Sequence, residues 1–231
     1  MRVLNVPVSP ELLDAWAGWL APARQMLSPA SRRMLLRAQA QYGRGGVPRV
    51  RDFADLLPNL TGGRFVWWPS LISPPVLTRV VSAGHPPCQQ ANVPEAVWAG
   101  AASLLPRARA LAGTFPLASG PNCFGTVMGA AGVEGAEQQW MQRGPFEAFL
   151  AARTRPGGQD DRPGTLLVWR GDGGAVQHAG VTLGGGWALH KPSQLWMTPR
   201  VVLPVGDLVR FCRTRGWRLH RSSLVTQQPV A

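Results

Sequence analysis

The sequence predicts an α+β protein, on three observations. Apolar residues recur at helical spacing through the first half of the chain, and beyond about residue 163 they give way to short β-branched or aromatic runs divided by glycine turns. With 231 residues, 45% of them hydrophobic, the chain is long enough to bury a core. The expected arrangement is a set of helices packed on one side of a small antiparallel sheet, with a mostly helical N-terminal region over 1–105 leading into a second domain over 106–231.

Ser9, Pro10 and Glu11 read as an N-cap, an N1 proline and a first-turn acid, and Leu12, Leu13, Trp16 and Leu20 follow on one helical face. A second helix is expected over 31–42 (Met34, Leu35, Ala38), stopped by Gly43-Arg44-Gly45-Gly46-Val47-Pro48, and a short third one over 50–57. The proline-rich stretch 62–87 has no period and reads as packed irregular structure. Val97, Trp98, Ala101, Leu104 and Leu105 share a helical face within 93–112, where Pro106 kinks or restarts the helix. Small turn-forming residues from Ala118 to Asn122 then lead into the apolar run 124–131, a buried helix with Cys123 in its first turn. Residues 138–153 form a further helix, and 155–163 a loop.

Strands are expected over 164–170, 176–183, 187–190 and 201–205, and the last element, 206–214, fits a strand or a short helix. Gly184-Gly185-Gly186 signals a tight turn between two of these strands. A turn centred on Gly185 sets Gly180 opposite His190 and Thr182 opposite Ala188. His178 and His190 then lie on one face of the hairpin, one diagonal step apart, at roughly 7–8 Å between backbones.

These positions suit nucleophilic catalysis. A helix N-terminus and a neighbouring imidazolium both lower a thiol pKa, and Cys123 has access to the first through its own helix and to the second through His178. His178 is the candidate base. His190 is the candidate orienting group, doing for His178 what a carboxylate or amide does in other triads. The backbone N–H of Cys123 would donate to an oxyanion.

The order of a cysteine helix, a Pro-Gly-x-Leu-Leu-Val-Trp strand (163–169) and His-Ala-Gly-Val-Thr-Leu-Gly-Gly-Gly-Trp-Ala-Leu-His (178–190) resembles the NlpC/P60 peptidases over roughly residues 106–212. The resemblance implies a papain-like fold, a Cys123-His178-His190 triad and hydrolysis of an amide bond in bacterial cell-wall stem peptides, with a peptide or peptidoglycan fragment as the partner. Members that cut such peptides read Asp-Cys-Ser-Gly where this chain reads Asn122-Cys123-Phe124-Gly125, and they carry a tyrosine upstream of the cysteine where the only one here is Tyr42. Two alternatives stand beside this one: a secreted toxin or effector amidase with an immunity or adaptor protein as partner, and a catalytically inactive binding module on the same scaffold.

The net charge of +12 is arginine, scattered singly or in pairs, and Lys191 is the only lysine among 24 basic residues. That distribution reads as coding bias, and no nucleic-acid partner is expected. No apolar stretch is long enough to span a membrane and no standard signal peptide is visible, which suggests a cytoplasmic protein or a non-standard export route. Three cysteines without CxxC spacing support neither a disulfide framework nor a zinc site, so no metal or cofactor is expected, and Cys88 and Cys212 read as structural. His85 sits in a turn that nothing links to the hairpin. Gln194, Gln89 and Asp172 are weaker candidates for the site, and Trp67, Trp68 and Trp196 for core or cleft wall.

Overall fold

The computed structural model describes residues 8–20, 28–31, 33, 34, 37, 50–59, 73–82 and 87–225. The chain forms two compact units, Met1–Gly84 and His85–Ala231.

In the first unit, helix α1 (Pro10–Leu20) opens as its caps predict, with the Leu12 N–H donating to Ser9 Oγ at 3.3 Å. It buries Leu13 and Trp16 and packs on α2 (Pro74–Ser82), which buries Val76, Leu77, Val80 and Val81. The helix expected over 50–57 is only a 3₁₀ turn, Val50–Phe53. Pro58 follows directly and disfavours helical geometry at Leu57. Of the helix expected over 31–42, residues 31, 33, 34 and 37 are helical and the rest lies outside the described residues, as do His85, Trp67 and Trp68.

The second unit is α+β. Helix α3 (Glu95–Ala101) and the single turn α4 (Ala108–Leu111) flank Pro106, and α3 packs on the sheet, so the expected division at 105/106 falls inside this unit. Helix α5 (Cys123–Ala130) follows, then a 3₁₀ turn (Ala136–Gln138) and α6 (Arg143–Arg153). The helix expected to begin at 138 starts five residues later, because Pro145 lacks an N–H and is tolerated only in a first turn. Strands β1 (Thr154–Pro156), β2 (Pro163–Arg170), β3 (Val176–Gly184), β4 (Trp187–His190) and β5 (Val201–Pro204) come next. The uncertain element over 206–214 is helix α7 (Val205–Phe211), and β6 (Arg218–Leu224) closes the unit.

All strand pairs are antiparallel, in the order β1-β6-β2-β3-β4-β5. β2 and β3 are buried along nearly their whole length, and β2 carries the continuous apolar run Leu166–Trp169. β6 is exposed or half-buried up to the buried Leu224, and its polar composition hid it from the sequence pattern.

Helix α5 holds the candidate nucleophile, and all eight of its residues are buried. It lies against the 136–138 turn so closely that a Cβ on Gly125 would fall 2.2 Å from the Ala136 carbonyl oxygen. Below it, Arg107 grips the buried Glu137 carboxylate through two hydrogen bonds of 2.6 and 3.1 Å, while the buried Arg200 donates to the Glu137 carbonyl at 2.6 Å and to Thr114 Oγ1 at 3.0 Å. No helix among the described residues is long and apolar enough to cross a membrane.

Gly125→Ala therefore forces backbone apart and is expected to lower the unfolding free energy by about 1–3 kcal/mol or more. Gly100→Ala, on α3 where a Cβ meets nothing within 4 Å, is expected to raise it by up to about 1 kcal/mol. Urea denaturation of the two variants checks both signs.

Candidate active site

Asn122 fixes where α5 begins. Its extended backbone leaves the side chain free to cap, with Oδ1 accepting from the Gly125 N–H at 3.1 Å and Nδ2 donating to the Met141 carbonyl at 2.8 Å. An aspartate in the same place could accept the first bond but not donate the second. Cys123 follows as the first helical residue, buried at 8% exposure. Phe124 stacks on Phe146 with ring centroids 4.6 Å apart, so the side chain after the cysteine is part of the core.

Strands β3 and β4 pair as the glycine turn predicts, Gly180 with His190 and Thr182 with Ala188. The turn needs its glycines, since Gly184, Gly185 and Gly186 all have positive φ (95°, 57° and 79°). The register brings His178 Nε2 to 3.1 Å from His190 Nδ1, with the rings nearly perpendicular at 87°. Trp169 covers His178 (centroids 5.4 Å apart), and Phe211 packs edge-on to His190 (5.8 Å). His190 is fully buried, and its Nε2 has no hydrogen-bond partner among the described residues.

Cys123 and His178 both line a cavity of about 470 Å³, with His190 behind His178. Lys191, Arg143 and Gln194 line it too, and no carboxylate does. Of the other candidates, Gln89 donates its backbone N–H to Val202 away from the cavity, Trp196 is buried, and Asp172 lies beside Gly216. Cys88 and Cys212 are buried thiols outside any disulfide, with the Val202 N–H donating to Cys88 Sγ at 3.2 Å.

Burial dominates the electrostatics. It pushes the Cys123 thiol up to about 11, against the opposing pull of the Ala179 amide and the Lys191 charge. It takes His178 down to about 4 and His190 well below the ordinary imidazole value. The expected lowering of the thiol pKa is thus reversed: a helix start in a dry site gives less to a thiolate than desolvation takes away. The resting pair is a neutral thiol and a neutral imidazole.

Lys191 is the residue that motif reading missed. It follows His190, is fully buried, and is held near pKa 7 by burial and by the Arg200 charge. Its Nζ donates to the carbonyls of Ser193 and of Leu195, the latter at 3.0 Å. The available signal was its rarity, one lysine in an arginine-rich chain.

One group of potential metal donors occurs among the described residues, His178, His190 and Cys212, with ligand atoms within 4.8 Å of one another. Donors on one tetrahedral zinc sit about 3.5 Å apart. Here the facing nitrogens of the two histidines serve each other, and we assign no metal to the group. The chain matches no protein-family model, no curated protein and no solved structure.

Because the folded protein holds His178 neutral down to about pH 4 while the unfolded chain protonates it near pH 6.5, the unfolded state binds more protons between these values. Stability is therefore present above about pH 6.5 and is expected to fall as the pH drops toward 4. Urea midpoints at pH 7, 6 and 5 check this, and His178→Ala is expected to flatten the slope.

Proposed function

We propose that this protein is a papain-like cysteine hydrolase that cleaves an amide bond, with cell-wall stem peptides as its substrate class. One observation carries the chemistry. His178, joined to the buried His190 at 3.1 Å, lines the same cavity as the helix-start Cys123.

In the tautomer this chemistry requires, His178 Nε2–H donates to His190 Nδ1, which leaves the His178 Nδ1 lone pair free. Since the resting thiol is neutral, the proton leaves Cys123 for Nδ1 as the sulfur–carbon bond forms, and not beforehand. The oxyanion receives a hydrogen bond from the Cys123 backbone N–H in the first turn of α5. The imidazolium, stabilised by His190, returns its proton to the leaving amine and gives a thioester. Water then attacks the thioester with His178 again as base, releasing the acid and the thiol. The substrate class rests on the resemblance to NlpC/P60 peptidases and on a cavity wall with two cations and no acid.

The high thiol and low imidazole pKa values favour a second function, a binding module in which Cys123 is inert.

A γ-D-glutamyl-diamino acid peptide separates the two. Hydrolase function gives a new amine and carboxylate, with turnover lowered about 10²–10⁴-fold in His178→Ala and absent in Cys123→Ala. The kcat/KM profile is expected to rise near pH 4, where His178 becomes a free base, and to fall above about pH 7, where Lys191 loses its charge. Binding without turnover, unchanged in Cys123→Ala, would establish the binding module. Turnover only of unrelated amides would remove the cell-wall substrate.

A further inference from the structure

Lys191 is a buried cation on which no carboxylate among the described residues acts. The ionisable groups that act on it are Cys123, His190 and Arg200, and the Glu137 carboxylate, which acts on Arg200, is held by Arg107. A buried charge normally needs a partner, and among these groups only the Cys123 thiol can become an anion.

The ammonium also ties down the cavity wall. The two carbonyls it holds, on Ser193 and Leu195, flank Gln194, whose carbonyl accepts from the Gly120 N–H at 2.8 Å. The Trp196 N–H donates to Ser119 Oγ at 3.1 Å. Through these bonds the 193–196 segment is fastened to the 119–120 turn just before the nucleophile. The same service could be had from a neutral donor, so the charge itself calls for a role.

We propose that Lys191, which lines the same cavity as Cys123, is a positioning residue for it, fastening the 193–195 wall and setting a positive charge against the negative charge that develops on the Cys123 sulfur and on the oxyanion as the bond forms. This rests on the hydrolase function above, in which that negative charge develops. An arginine in its place would keep the charge at every pH, whereas a lysine can lose it in a dry site.

The test uses full-length protein, iodoacetamide, and peptide mass spectrometry at Cys123, with rates taken from pH 5 to pH 10. No substrate is involved, so failure of the peptide assay leaves this test intact. Lys191→Met is expected to slow alkylation about tenfold or more below pH 7, where the wild-type lysine is charged, and to leave the rate unchanged above about pH 8. Lys191→Arg, charged throughout, is expected to keep the fast rate below pH 7 and to exceed wild type above pH 8. A Lys191→Met profile that superimposes on wild type, or that falls equally at every pH, would overturn the charge role.

A thermal melt reports whether the variants fold. Should Lys191→Met not fold, wild type alone decides through ¹³Cε-lysine labelling, which gives a single resonance because the chain has one lysine. A lysine midpoint that coincides with an inflection in the wild-type Cys123 alkylation profile sustains the charge role, and a profile with no inflection at that midpoint overturns it.

Discussion

The β3–β4 ladder pairs Gly180 with His190, and the chemistry of the C-terminal unit depends on that pairing. Side chains alternate along a strand, so a slip of one residue would turn one histidine away from the other. Three consecutive glycines with positive φ close the ladder, and the buried length of β3 resists any shift that would expose it. The hydrogen bond between His178 and His190 is the outcome of backbone register, with no loop needed to hold it.

Around this fixed pair the fold builds a dry site. Trp169 and Phe211 cover the two imidazoles, α5 buries every one of its side chains, and Lys191 is buried in the cavity wall. Dryness penalises each charged form separately: the thiol is driven up, and the imidazoles and the ammonium down. A separated thiolate and imidazolium are disfavoured at rest, and catalysis would have to create both charges together with the bond. The same dryness strengthens every interaction with the oxyanion once it forms. Burial thus sets both the cost of activating Cys123 and the strength of the field that would offset it.

Much of this was legible in the sequence because it was local. The glycine turn gave the register to the residue, Asn122 followed by an apolar run gave the start of α5, and the β-branched runs gave four strands. What escaped was non-local. β6 pairs with β1 and β2 through a half-exposed polar face that has no apolar signature, and Pro145 delays α6 although its neighbours fit a helical face. The direction of the Cys123 shift depends on how deeply α5 sinks against β3 and the 136–138 turn, which the helix sequence alone does not state. Lys191 lies just past the second histidine of the motif, and neither its burial nor its place in one cavity with Cys123 can be read from the residues beside it.

The most direct measurement is acyl transfer from an activated ester, such as a p-nitrophenyl ester, to Cys123 of the full-length protein, followed by peptide mass spectrometry in wild type and His178→Ala. A nucleophile worked by the histidine pair gives an acyl-Cys123 adduct in a rapid burst that slows at least about 10²-fold in the variant. Equal rates in the two proteins, or acyl groups confined to Cys88 and Cys212, would contradict the catalytic role of the pair.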